Sequence, residues 1–254
     1  MRLTRKKPLP GSVPALFLHI QKTAGTSILH LARQYYGESV VSHGDCWGKS
    51  PDQLRHIRFI SGHIGYHFAR SLMQGRYTFT FLRDPAERIL SMYYFCRARD
   101  PGEFDIYKKA HELDLREFLE AGLHDPCVRK NIWNNQVWQL AHGYAHLDDR
   151  GINNFSEAEL LRLAKEHIGE FSHVGFTETF LTDSAPILSA LGLPGMDEMP
   201  KLNATPGRPH AAEQPPVIKN LLGRLTELDR ELYDYARNGL PAARRAKHRK
   251  WWLW

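Results

Sequence analysis

The sequence predicts an α/β fold in which a central, mostly parallel sheet is covered by helices on both faces, giving three layers. Two observations lead to this fold class. Short apolar or β-branched runs, typical of strands buried on both sides, occur at about residues 15–20, 57–61, 77–82 and 172–176. Helical patterns separate these runs, at residues 26–36, 85–97, 115–120, 131–142, 157–168, 178–191 and 218–238. Ligands of such sheets bind at the carboxyl ends of the strands.

Length and composition indicate one globular domain over residues 1–254. The chain is 42% hydrophobic and 24% charged, and it has no run of about 18 apolar residues that would predict a membrane span. The Pro- and Gly-rich stretch at 193–216 is interpreted as a long loop, because the helix after it would otherwise stand alone. We expect the basic segment 1–12 to be flexible.

The three cysteines and the N-terminus favour a cytoplasmic protein. Cys46, Cys96 and Cys127 are widely spaced and form no CxxC pair, so neither a disulfide framework nor a zinc site is predicted. The basic and then apolar N-terminus lacks a small-residue cleavage site, so it is interpreted as a buried strand rather than a signal peptide.

The charge of the chain predicts an anionic partner. The formal net charge is +6, and much of the excess lies at the two ends, including the tail ARRAKHRKWWLW at 243–254. Nucleic acid, a membrane surface, an acidic glycan and a highly charged nucleotide all fit this sign. The cations and tryptophans of the tail suit peripheral contact with a membrane, an anionic polysaccharide or packing on the protein itself.

The loop after the first predicted strand has the residues of an anion site. Residues 21–27, QKTAGTS, follow the strand ALFLHI and lead directly into a helical pattern. Gly25 allows close approach of the backbone, and the N–H groups that begin the helix point towards a ligand. Thr26 and Ser27 add hydroxyl donors, and Lys22 adds a mobile positive charge. Taken alone, the loop also fits a plain capped turn.

A second motif follows the third predicted strand, YTFTFL. Arg83 stands at the strand end, Asp84 is placed to cap the next helix, and Pro85 occupies its first position. Ser91 lies eight residues beyond Arg83, so that guanidinium and hydroxyl together are placed to clamp one phosphate. The simpler alternative is a capped helix with an exposed arginine. For Arg88 we expect an exposed side chain or an internal ion pair.

Together, HIQKTAGTS and FLRDPAERILSMYYF resemble the two nucleotide-binding signatures of sulfotransferases that use 3'-phosphoadenosine-5'-phosphosulfate (PAPS). The resemblance is to the carbohydrate branch, which includes heparan sulfate and uronyl 2-O-sulfotransferases. It implies PAPS as co-substrate, 3'-phosphoadenosine-5'-phosphate (PAP) as product, no metal and a hydroxyl-bearing glycan as acceptor. Gln21 departs from the family, whose members usually carry proline there. The residues implied for the 5'-phosphosulfate are Lys22, Thr23, Ala24, Gly25, Thr26 and Ser27; those for the 3'-phosphate are Arg83 and Ser91, and Lys201 is implied in a loop that closes over the nucleotide.

Sulfuryl transfer needs a base for the acceptor hydroxyl and positive charge near the leaving phosphate. Lys22 suits the second task. His63 directly follows a predicted strand, which places it at the same sheet edge as both motifs, and the resemblance also implies a histidine there as the base. His67 is the second candidate, and a packed or surface histidine is the alternative for His63.

Two other classes of protein are alternatives to a sulfotransferase. A P-loop nucleotide or small-molecule kinase needs a Walker A lysine directly before the Ser/Thr, and Lys22 instead precedes Gly25 by three positions. A non-catalytic nucleic-acid-binding protein would interleave basic and aromatic residues over one face, and no such pattern is found.

Two further segments give weaker signals. The amides of Trp133-Asn134-Asn135-Gln136 suit either an acceptor hydroxyl or a helix surface, and Glu178 suits a helix cap.

Overall fold

The computed structural model describes residues 9–23, 25–41, 46, 48–143, 151–196 and 208–247. Its centre is a five-stranded sheet of order β2-β3-β1-β4-β5 in which every neighbouring pair is parallel. The strands are β1 (Ala15–Leu18), β2 (Val40–Val41), β3 (Phe59–Gly62), β4 (Tyr77–Leu82) and β5 (His173–Phe176). The predicted α/β class is confirmed.

Helices connect and cover the strands. In chain order they are α1 (Gly25–Tyr36), α2 (Pro51–Leu54), α3 (Tyr66–Ala69), α4 (Pro85–Arg97), α5 (Asp105–Glu112), α6 (Leu115–Ala121), α7 (Pro126–Ile132), α8 (Asn135–Ala141), α9 (Glu157–Ile168), α10 (Phe180–Ala190), α11 (Pro216–Leu225) and α12 (Glu227–Lys247). Within the described ranges, no helix combines the length and the apolar character needed to cross a bilayer.

The two faces of the sheet bury different clusters, because alternate side chains of a strand point to opposite sides. On one face, Phe17, Phe59 and Phe79 pack against apolar residues of α1 and α10. On the other, Leu16 and Leu18 join the larger cluster with α4, α8, α9, α11 and α12. This arrangement is the three-layer architecture expected from the sequence.

Helix α4 confirms its predicted bounds and its predicted start. The Asp84 carboxylate accepts the backbone N–H of Glu87 at 3.0 Å, and Pro85 is the first helical residue. Proline at this position loses no hydrogen bond, since the first N–H groups of a helix have no partner within it. The helix therefore begins where β4 ends, at the edge of the sheet where ligands bind.

Two predictions of single helices are wrong. The helix predicted at 131–142 is broken into α7 and α8 at Asn134, whose left-handed backbone (φ 40°) cannot continue a helix. The helix predicted at 218–238 is divided at Thr226, between α11 and α12. Both breaks share one cause. The Asn134 side-chain oxygen accepts the backbone N–H groups of Leu228 and Asp229 at 2.9 and 3.1 Å, which caps the start of α12.

Candidate active site

The first predicted loop closes on itself between β1 and α1. The Thr23 hydroxyl donates to the carbonyl of Ile20 at 2.8 Å, so this buried side chain fixes the turn and its hydroxyl proton is used within the loop. Lys22 adopts a left-handed backbone conformation with φ 67°. Helix α1 begins at Gly25, so the N–H groups of its first turn face the strand ends. Thr26 is half-buried and Ser27 buried in that turn, whereas Ala24 lies outside the described residues.

Glycine is required at position 25 because of a neighbouring imidazole. A Cβ atom built on Gly25 would overlap the ring atoms of His19. That ring is held on both sides, stacked on Phe17 with centroids 5.0 Å apart and tilted against His63 at 4.5 Å. His19 is only 4% exposed, so it has no room to move aside. The turn thus depends on close packing between the helix start and a buried histidine.

The structure brings the two predicted motifs into contact. The Arg83 guanidinium donates to the carbonyl of Lys22 at 3.1 Å, across a separation of 61 residues. The Lys22 ammonium lies 3.5 Å above the centre of the Phe95 ring on α4. Burial, together with the positive charges of Arg83, Arg99 and Arg208, lowers the pKa of Lys22 to about 7. Cationic side chains gathered in this way are suited to binding an anion.

Ser91 lies on the side of α4 that faces these cations. Glu87, Ser91 and Phe95 follow one another at intervals of four residues, so they form one stripe along the helix. Phe95 contacts Lys22 at one end of the stripe, and Glu87 contacts Arg208 at the other. The half-buried Ser91 lies between them. The pairing of Arg83 and Ser91 on one phosphate stays a prediction.

Arg208 is a residue of the site that the sequence analysis missed. One guanidinium nitrogen, Nη2, pairs with the Glu87 carboxylate at 2.6 Å, while Nη1 is buried without a hydrogen-bond partner in the described part of the chain. Its charge also lowers the pKa of Arg83, after the larger effect of burial. Lys201, the residue expected from this loop, lies outside the described residues. No spacing in the loop distinguishes one basic residue from another, so only packing could identify Arg208.

The two candidate bases, His63 and His67, have different contacts. The Nδ1 atom of His63 lies 2.7 Å from the carbonyl oxygen of His19. A carbonyl only accepts hydrogen bonds, so Nδ1 carries the proton and Nε2 is the basic nitrogen of the neutral ring. His63 therefore lies beside the first loop, next to His19. His67 is exposed on α3 and stacks on His142 with centroids 4.8 Å apart.

The amides at 134–136 do not face an acceptor, so the acceptor interpretation of this segment is wrong, as is the helix-surface alternative. Asn134, Asn135 and Gln136 are at most 2% exposed. Gln136 accepts the backbone N–H of Arg83 through Oε1 and donates to the Arg83 carbonyl through Nε2, both at 3.0 Å. The three side chains can be buried because each makes at least one hydrogen bond with the backbone.

Two further charged residues support the second motif. Glu178 does not cap α10. Its carboxylate accepts the backbone N–H of Asp84 at 2.7 Å and the hydroxyl of Tyr233 at 2.9 Å. Arg88 is fully buried and donates to the carbonyls of Asn131 and Ile132, so of its two expected environments the exposed one is wrong. Among the described residues, no group of three or more His, Cys, Asp or Glu could hold a metal ion.

Comparison with known families identifies the family of the chain. The model of the sulfotransferase family matches residues 13–236, a span that contains both motifs and all five strands. No curated protein matches the chain significantly. The matched span covers most of the chain, and it includes Lys22, His63, Arg83 and Arg208. The chain therefore belongs to the sulfotransferase family and is an enzyme of sulfuryl transfer.

Proposed function

We propose that the protein transfers the sulfuryl group of PAPS to a hydroxyl group of a carbohydrate, either a polysaccharide or a glycolipid. The observation that carries this proposal is the meeting of Lys22 and Arg83, which joins the two motifs into one strongly cationic site. PAPS has a charged group at each end of its ribose, and a site that brings together cations from two motifs suits such a nucleotide better than a single phosphate loop does.

The residues of the site divide between the two ends of the nucleotide. Lys22 and the first turn of α1, from Gly25 to Ser27, are proposed to bind the 5'-phosphosulfate. Arg83 and Ser91 are proposed to bind the 3'-phosphate. The buried Nη1 of Arg208 has no hydrogen-bond partner among the described residues and is proposed to donate to the same anion, because Glu87 binds only the other nitrogen.

The chemistry follows from the tautomer of His63. The acceptor oxygen attacks sulfur in line with the leaving group, and Nε2 of His63 takes the hydroxyl proton. A bond forms between this oxygen and sulfur while the bond between sulfur and the 5'-phosphate oxygen breaks. Lys22 stabilises the negative charge that grows on that phosphate. The products are the sulfate ester and PAP, and no metal is needed in this scheme.

The direct test is calorimetric binding of PAP at one stated salt concentration. We expect micromolar binding by the wild type and a loss of about tenfold or more in Arg83→Ala, the cost of one charge-assisted bidentate contact. Absence of binding by the folded wild type would contradict the proposed donor. For the base, His63→Ala should bind PAP normally and lose about 10²- to 10⁴-fold in turnover with PAPS. Normal turnover in this variant would exclude His63.

The location of the protein is a separate proposal. We propose a cytoplasmic enzyme whose tail, residues 243–254, contacts membranes that carry the acceptor. The support is compositional, since the tail combines basic residues with tryptophans. Residues 248–254 lie outside the described residues. Sedimentation with anionic liposomes should decrease when 243–254 are deleted, and unchanged sedimentation would contradict the membrane contact.

A further inference from the structure

Helix α8 carries two buried glutamines whose amides bond to the backbone of the candidate active site. Gln136 is 1% exposed and Gln139 is fully buried. They lie three residues apart, so they share one side of the helix. Neither side chain is placed to contact a ligand. Each reaches a different part of the site, and this division suggests what they do.

Gln136 holds the residue proposed to bind the 3'-phosphate. Its amide receives the N–H of Arg83 and donates to the carbonyl of the same residue, as a neighbouring strand would. Arg83 stands just beyond β4, where the sheet no longer fixes its backbone. The peptide that follows is fixed as well, through the bond from the Asp84 N–H to Glu178. The backbone on both sides of the Arg83 side chain is therefore held by side chains.

Gln139 fixes two backbone carbonyls next to His63, the proposed base. Its Nε2 donates one hydrogen to the carbonyl of His19 and the other to the carbonyl of Ile64, both at 3.1 Å. The His19 carbonyl is also the acceptor for Nδ1 of His63. One amide group thus ties the end of β1 to the residue directly after His63. It fixes the oxygen that determines the tautomer of the base.

The start of α8, the helix that carries both amides, is fixed by hydrogen bonds to α12. The Asp229 carboxylate of α12 accepts the backbone N–H groups of Gln136 and Val137 at 3.3 and 2.7 Å. Asn134 in return caps α12 through Leu228 and Asp229. The two helix starts cap each other, so α8 cannot shift without breaking the start of α12. A helix fixed in this way can hold the amides of Gln136 and Gln139 in defined positions.

We propose that Gln136 and Gln139 are positioning residues with separate targets, Gln136 for the nucleotide-binding Arg83 and Gln139 for the base His63. This inference rests on the proposed function and deepens it. It differs from a general role in stability, because the two amides bond to different parts of the site. Losing one should impair one function of the site and leave the other intact.

The test compares Gln136→Met and Gln139→Met, which keep the side-chain volume and remove the hydrogen bonds. Asn131→Leu, which removes a buried amide bond within α7, is the matched control for loss of stability. PAP affinity is measured by calorimetry, and the tautomer and pKa of His63 by nitrogen NMR of histidine-labelled protein. The His63 signals are assigned by their absence in His63→Ala. Thermal melting establishes that each variant is folded.

We expect Gln136→Met to weaken PAP binding by about tenfold or more and to leave the His63 signals unchanged. Gln139→Met should bind PAP within about twofold of the wild type and should change the nitrogen signals of His63, because the carbonyl that accepts its Nδ1 proton is no longer held in place. Equal effects of both variants on both measurements, or effects no larger than those of the control, would overturn the proposal. If a methionine variant does not fold, it is replaced by the corresponding asparagine variant. The asparagine side chain is one methylene shorter, so its amide cannot reach the same partners. Wild-type protein without PAP affinity would instead contradict the proposed function.

Discussion

The protonation of Lys22 should make nucleotide binding strongly dependent on pH. Burial and the neighbouring arginines hold the pKa of Lys22 at about 7 when the site has no anion. A bound phosphate or phosphosulfate supplies the missing negative charge and should return the pKa towards the ordinary lysine value of about 10.4. The nucleotide therefore binds the protonated form, and binding takes up a proton wherever the free lysine is neutral.

The magnitude follows from the two pKa values. With a pKa of about 7, the protonated fraction of Lys22 in the free protein falls from about one quarter at pH 7.5 to about 0.3% at pH 9.5. If the bound form stays protonated over this range, the affinity for PAP decreases by nearly two orders of magnitude. The phosphates of PAP are fully ionised throughout, since their second pKa is about 6. The change is therefore carried by the protein.

The assay is calorimetric titration of PAP at constant ionic strength across this pH range. Repetition at pH 8.5 in two buffers of different ionisation enthalpy should give an uptake of about one proton. Lys22→Arg is the matched control, because a guanidinium stays charged and should remove the slope. A wild-type dissociation constant that changes by less than about threefold would refute the reasoning, as would an equal slope in the arginine variant.

Three further expectations concern other parts of the molecule. Gly25→Ala should weaken PAP binding by at least about tenfold, since its methyl group overlaps His19. The double variant with His19→Ala should recover PAP binding. Gly223→Ala, in an open helical position, is the control and should raise the free energy of unfolding by up to about 1 kcal/mol. Calorimetry that finds normal binding in Gly25→Ala would contradict the packing argument. Arg208→Ala should cost about 1.5–3 kcal/mol of PAP binding energy, the value of a hydrogen bond to a charged group, and wild-type affinity would remove Arg208 from the site. Burial raises the pKa of Asp229 from 3.8 to about 6, so its contribution to stability is present at low pH and is lost as pH rises through 6. Asp229→Asn should remove that part of the pH dependence in urea denaturation between pH 4 and 7, and an unchanged slope would assign it to other groups.

Local signals were sufficient to predict the start of α4 and the sheet edge at which both motifs lie. The start of α4 could be read from Asp84 and Pro85, because both act on the helix start within four residues. Parallel strands end at a common edge, so the sequence also predicted that the motifs of Lys22 and Arg83 would lie at the same edge of the sheet. The contact between Arg83 and the Lys22 carbonyl confirms that expectation.

Features that depend on distant residues could not be predicted in this way. The break at Asn134 arises from backbone groups 94 and 95 residues further along, and the hydrophobic pattern continues across it. The two-residue strand β2 is too short to give a pattern of its own. The amides of Gln136 and Gln139 look like an ordinary polar pair until their partners at Arg83, His19 and Ile64 are known.

The mutual capping of α8 and α12 has a consequence for how the enzyme is made. During synthesis the nucleotide motifs and His63 leave the ribosome long before Asp229 does. Until α12 emerges, the start of α8 has no carboxylate to bind its N–H groups, and Gln136 and Gln139 lack a fixed support. A nascent chain that already contains every ligand-binding residue should therefore be unable to hold PAP. Competence should appear late and in a single step, when the last helix docks.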